Sequence, residues 1–145
     1  MLLIKTKVAE SDIPEAGLGL FASEPIKKGT IVYRFDRNTD QLLTENDICR
    51  LPPERQNYIR SHGRYSDEAK IWALDTDNAV YINHSEKPTL RGKGGPLGEF
   101  VADADLPAGT ELTISYREIC DISRRTGLID TSRTLGGEQL TQLKR

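Results

Sequence analysis

Residues 20–30, LFASEPIKKGT, and residues 100–110, FVADADLPAGT, align at a constant offset of 80. Ala22 meets Ala102, Ile26 meets Leu106, Gly29 meets Gly109 and Thr30 meets Thr110. Each copy reads as an apolar strand, a turn, a glycine at the corner and the start of a second strand. Glycine reaches positive φ at such a corner without the steric cost of a side chain. Two hairpins that independently need the same turn would give this match. So would a fold assembled from two related β units, one near each end of the chain.

Working outward, short strands with Gly and Pro punctuation dominate. Leu2–Val8, Leu18–Ser23 and Thr30–Phe35 read as strands, with a turn at Pro14–Gly17. Ile71–Leu74, Val80–Ile82, Glu99–Asp103 and Glu111–Tyr116 continue the pattern, with a polar turn at Asp75–Asn78. Between them lies an insert of different character at about 37–70. Thr44 caps a short helix through Leu51, and a second helix runs from Pro53 to a stop at Gly63. Arg91–Gly95 reads as a basic, solvated loop. The expected fold is mainly β (α+β), with a domain over 1–118 and a loosely held tail over 119–145. Arg117–Arg125 and Glu138–Lys144 are that region's helical stretches.

The 145 residues suit one domain, and Leu, Ile, Val and Phe make up about a quarter of them, enough for a core. Twenty basic and 22 acidic side chains leave a net charge of −2. That balance disfavours nucleic-acid binding, which draws on a basic excess. No apolar run approaches the roughly 18 residues that span a bilayer. The start, with Lys5 and Lys7 breaking its apolar stretch, is not a signal peptide. With two isolated cysteines, Cys49 and Cys120, the chain reads as cytoplasmic, a nuclear place being compatible with it. His62 and His84 are the only histidines, and no ligand spacing for zinc exists, so no metal is expected.

Three stretches carry chemistry. Gly17-Leu18-Gly19-Leu20-Phe21-Ala22 pairs two glycines ahead of a strand, which suits either a hairpin corner or a loop where backbone approaches a ligand. It is not a dinucleotide fingerprint, because a turn rather than a helix follows. Asn83-His84-Ser85 brings amide, imidazole and hydroxyl to one place, either as a polar strand cap or as a binding element. Glu111-Leu112-Thr113-Ile114-Ser115-Tyr116 ends a strand on a tyrosine, either a core-edge aromatic or a reacting group.

In this order the three resemble the SET domain of protein-lysine methyltransferases, which carries GxG-x-F-A, then Asn-His-Ser, then Glu-Leu-x-x-x-Tyr. Leu74-Asp75 matches the family's apolar-Asp pair as well, and the resemblance runs from about residue 3 to 118. It implies a small SET-type fold of short sheets, with a knot-like C-terminal segment and a helical insert. It implies S-adenosylmethionine as cofactor, held by Gly17, Leu18, Gly19, Asn83 and His84, and Tyr116 as the catalytic residue. Tyr65 and Tyr81 become candidates for a second aromatic in the lysine channel. The implied activity is methyl transfer to a lysine of a protein substrate, a histone or another basic protein. A degenerate module that binds a partner without turnover is the alternative. A homodimer could complete the site, because no lid over the channel is evident. The chain departs from the family at Glu86, Lys87 and Thr89, where Cys and Asn are common around the matching Pro88, and at Ser115, where Asp is usual.

Overall fold

The computed structural model describes residues 1–121. Ten short strands and two helices follow one another as β1 (Thr6–Glu10), β2 (Leu18–Ala22), β3 (Ile31–Arg34), β4 (Gln41–Leu43), α1 (Glu45–Cys49), α2 (Pro53–His62), β5 (Arg64–Ser66), β6 (Ile71–Leu74), β7 (Asn83–His84), β8 (Leu90–Lys93), β9 (Glu99–Ala102) and β10 (Glu111–Ile114). They form three small sheets in the orders β1-β2-β10-β7, β3-β9-β8 and β4-β6-β5. The fold is therefore mainly β, as the sequence pattern indicates.

The two related segments grip each other reciprocally. The Ala22 N–H donates to the Thr110 carbonyl at 2.9 Å and the Ala102 N–H to the Thr30 carbonyl at 2.9 Å. In return the Gly109 N–H donates to Ala22 and the Gly29 N–H to Ala102, at 2.7 and 2.9 Å. At the centre, Ile26 and Leu106 exchange both backbone hydrogen bonds, at 2.8 and 2.7 Å. Phe21 pairs with Glu111, and Val101 with Ile31, so each incoming strand pairs with the other unit's outgoing strand. Gly29 and Gly109 both sit at φ +86°. The 80-residue offset is thus a two-fold arrangement of β units rather than a coincidence of turn chemistry.

Leu20, Leu112, Ile114, Phe100, Leu90 and Val32 fill the core between these units. A second core lies under the insert, where Ile48, Ile59, Tyr65, Trp72 and Leu74 pack together. The insert is not only helical. Its strands β4 and β5 flank β6, in register from Gln41↔Leu74 and Arg64↔Ala73. Three-residue strands are too short to display a period, so only the partner strand reveals them.

Several elements differ from the sequence expectation. Leu2 makes an isolated bridge to Tyr33, and the first regular strand starts at Thr6, its five residues matched to the five of β2. The first helix ends at Cys49 rather than Leu51, held at its start by a capping box between Thr44 and Asp47. The Val80–Ile82 segment is not a strand: a 3-10 turn covers Asn78–Tyr81 because the Asp77 carboxylate accepts from the Ala79 N–H at 3.0 Å. Such local bonding competes with a ladder. The basic loop starting at Arg91 is instead β8, paired along its length with β9. At Gly92 a side chain would overlap Ile119, which explains the glycine. β10 ends at Ile114, and Tyr116 opens a 3-10 turn through Glu118. Beyond it Ile119 and Cys120 are buried, one in each core. The helical expectation for Glu138–Lys144 lies outside the described residues, as do residues 122–125 of that for Arg117–Arg125, whose described part forms a 3-10 turn to Glu118 and no α-helix.

Candidate functional site

Everything at the site hangs on β10. It pairs antiparallel with β2 on one side and parallel with β7 on the other, through Thr113↔Asn83 and Ile114↔His84. That sandwiching brings the first, second and third motifs side by side although they lie up to 100 residues apart. Thr89 reinforces it: its hydroxyl donates to the Glu111 carbonyl and accepts from the Thr113 N–H, both at 3.0 Å. The residue standing where relatives of the resembling family often carry Asn thus fastens the segment after Asn-His-Ser to β10.

The Asn83 side chain reaches across to the first motif. Its Nδ2 donates to the Leu18 carbonyl at 3.0 Å, to Glu111 Oε1 at 3.2 Å and to Ser11 Oγ at 3.3 Å. Glu111 is 7% exposed. Its carboxylate also accepts from the Ser11 hydroxyl at 2.6 Å and from the Asp12 N–H at 3.0 Å. The two glycines of the first motif have different physical reasons. Gly17 takes φ +75° with open space around it, so it serves the turn. A methyl group at Gly19 would collide with the Glu111 carboxylate, so Gly19 makes room for a buried acid. Between them Leu18 is 49% exposed, a large apolar side chain left at the surface beside Asn83.

His84 and Tyr116 form the other half. The Tyr116 N–H donates to His84 Nδ1 at 3.1 Å, which fixes that nitrogen as the acceptor, and the two rings lie 5.3 Å apart. His84 Nε2 lies 3.2 Å from Glu86, which also pairs with Arg117 at 3.3 Å. The Tyr116 hydroxyl donates to the Ile82 carbonyl at 2.6 Å. Beside its ring is a cavity of about 20 Å³, room for roughly one water. Ile82, Phe100, Ile114, Tyr116 and the Arg64–Asp75 pair are among its lining.

That pair belongs to a buried network. Arg64 donates to Asp75 Oδ2 at 2.6 Å and to the Tyr33 hydroxyl at 2.8 Å. The same hydroxyl lies 2.5 Å from Asp75 Oδ1 and 3.0 Å from Asp40. Burial pushes the Tyr33 phenol far above its usual range, Arg64 pulls against this, and Asp75 and Asp40 add to it. Burial alone would weaken the charge on Arg64, but Asp75 and Tyr33 outweigh it and hold the guanidinium above its ordinary range. The cavity's polar end is therefore an internally neutralised ion pair, not a free base.

The structure brings Gly17, Leu18, Gly19, Asn83, His84 and Tyr116 into one neighbourhood. It places Tyr65 elsewhere: that ring is buried in the second core, tilted against Trp72 at 5.2 Å. Tyr81 packs half-buried on the first core. Neither is among the residues lining the cavity. Sequence reading passed over Ser11 and the role of Glu111. The signal for the latter was present, because the repeat sets an acid at 111 where its counterpart is the apolar Ile31.

The donor set fits a cofactor that carries an amino acid. Asn83 Nδ2 is satisfied within the protein, and no described residue bonds to its Oδ1, an acceptor of the kind an amino group needs. Among the described residues no cluster of His, Cys, Asp and Glu could hold a metal ion.

Residues 17–117 match the model of the SET domain. Among solved structures, the Ezh2-containing Polycomb Repressive Complex 2 of Chaetomium thermophilum aligns at 24% identity and a TM-score of 0.65. The alignment covers 83% of this chain and 16% of that one. The same complex bound to S-adenosylmethionine aligns at 23% identity and a TM-score of 0.62, over 83% and 16% of the two chains. A Plasmodium falciparum protein described as a histone methyltransferase aligns at 18% identity and a TM-score of 0.55, over 79% of this chain and 95% of its own. This chain therefore spans about one sixth of the Chaetomium chain. No curated protein sequence matches it.

Proposed function

The chain belongs to the SET domain family, and on that premise we propose that it transfers a methyl group from S-adenosylmethionine to the side-chain amine of a lysine in a protein. The observation that carries this reading is the convergence on β10. Asn83 bonds the Leu18 carbonyl while Tyr116 bonds His84, so both halves of the site meet at one sheet edge. When bound, S-adenosylmethionine supplies a methyl group on a positively charged sulfur. Leu18 and its neighbouring backbone, with Asn83 and His84, are the residues that would hold it.

The remaining work falls to the chain's own groups. A free lysine amine titrates near 10.4 and is almost wholly charged at neutral pH. A narrow cavity walled by Ile82, Phe100 and Ile114 strips water from an amine and so favours its neutral form. Arg64 and Asp75 cancel one another there, so neither draws a proton from the substrate nor holds one on it. Tyr116 stands at the meeting of cavity and Asn-His segment, where its hydroxyl orients the amine rather than deprotonating it. A histone or another basic protein is the substrate class, in keeping with the description of the Plasmodium relative.

Calorimetric titration of the chain with S-adenosylmethionine, followed by transfer of labelled methyl groups to mixed histones, tests the proposal. Saturable binding with label on lysine is expected. Silence at millimolar cofactor would remove the proposal, and binding without transfer would replace it with a partner-binding module.

A further inference from the structure

Glu111 is a buried acid with no cation bonded to it among the described residues. Its bonds come from the Ser11 hydroxyl, the Asp12 N–H and the Asn83 amide. A carboxylate in such a place is costly unless something compensates it. Glycine at position 19 leaves room for it, since a methyl group there would collide with it. β1's far end and the turn that follows are tied to it through Ser11 and Asp12.

From this arrangement we infer that Ser11 and Glu111 are positioning residues that set the site's preference for a ligand bearing an ammonium group. The inference rests on the cofactor reading proposed above and adds to it the part of the ligand that is selected and the residues that select it. The reasoning runs through Asn83. Three acceptors surround its Nδ2: a backbone carbonyl, a carboxylate and a hydroxyl whose own proton is committed to that carboxylate at 2.6 Å. A carbonyl and a carboxylate cannot donate, so the amide has one orientation only. Its Oδ1 is the oxygen presented outward, ready for an N–H donor. Behind it the Glu111 charge, poorly screened because it is buried, favours a cationic donor over a neutral one. Ser11 lies outside all three sequence motifs, and its contribution is to turn the hydroxyl lone pairs toward Asn83.

Glu111→Gln exchanges one carboxylate oxygen for an NH2. A donor must then face either the Asp12 N–H or the Asn83 amide, and the charge is gone. The test titrates the 145-residue chain and its variants with S-adenosylhomocysteine, which carries the ammonium, and with its deaminated analogue, which does not. Wild type is expected to prefer S-adenosylhomocysteine. Glu111→Gln should lose about 10–100-fold for that ligand, as for a hydrogen bond to a charged group, while the deaminated analogue shifts by less than about 3-fold. Ser11→Ala, which keeps the charge, should lose about 3–10-fold for the ammonium ligand alone. Equal losses for both ligands would reduce Glu111 and Ser11 to structural supports and overturn the inference, as would an unchanged affinity for S-adenosylhomocysteine. Should Glu111→Gln not fold, the ratio of the two affinities in Ser11→Ala decides the matter alone. Wild type binding neither ligand would be a different result, one that removes the cofactor reading itself.

Discussion

The two reciprocal β units are built alike and used differently. Each runs strand, turn, glycine at φ +86° and outgoing strand, and each clasps the other's corner. The outgoing strands then diverge. β3 carries Ile31, Val32 and Tyr33, and its tyrosine is tied into the buried Arg64–Asp75–Asp40 network. β10 carries Glu111, Leu112 and Thr113 at the corresponding positions, and its acid and backbone hold Asn83 and β7. The middle residue faces the core in both: Val32 and Leu112 are fully buried. The two strands part at the flanking positions, where Ile31 and Tyr33 on one strand have Glu111 and Thr113 as their counterparts on the other. The comparison separates a scaffold unit from a site unit on one shared frame.

If that separation holds, the largest loss of stability should come from the scaffold network. Arg64→Met strands the buried Asp75 carboxylate, so unfolding free energy should fall by about 3–5 kcal/mol, as for breaking a buried ion pair on one side. Denaturant melting measures it. A loss under about 1 kcal/mol, the level of an exposed pair, would mean that β3's network is not what anchors its unit.

The next effect belongs to the site unit. Tyr116→Phe keeps the ring and gives up the hydroxyl that donates to Ile82. The turnover rate should fall by about 2–4 kcal/mol of barrier, with the Michaelis constant for cofactor nearly unchanged. Stability should drop by only about 1 kcal/mol, one hydrogen bond. Full activity would move the reacting role to another tyrosine, and Tyr81 would be the next to replace.

Asn83→Ala is expected to weaken cofactor binding by about 1–3 kcal/mol, the cost of leaving polar partners unpaired. Titration of the folded variant checks this, and an unchanged dissociation constant would place Asn83 outside the site.

The smallest effects should be equal to one another. An added Cβ at Gly29 or at Gly109 meets nothing within 4 Å. Alanine at either therefore suffers only the left-handed backbone cost, about 1–2 kcal/mol. Matching losses in the two melting curves support the two-fold frame. A clear inequality would show that the corners bear different loads.

Much of this was legible in the chain. The repeated turn, the cap at Thr44, the start of α2 at Pro53 and the strands at 18–22, 31–34, 71–74, 99–102 and 111–114 follow from residues acting on their neighbours. Glycine's φ range, proline's missing N–H and side-chain capping are local physics, so the sequence states them directly. The three motifs likewise marked the segments that the fold sets side by side at β10.

Tertiary structure alone decided what each residue does there. β4 and β5 exist because β6 offers its edges, and Arg91–Lys93 became a strand because β9 lay beside it. Tyr65, attractive as a channel aromatic, was claimed by Trp72 and the second core. The reason for Gly19 is a carboxylate 92 residues later in the chain, and the orientation of Asn83 depends on Ser11, 72 residues earlier. Such contacts depend on which strand lies next to which, and that order is set by burying the whole apolar surface at once, which no local window of sequence records.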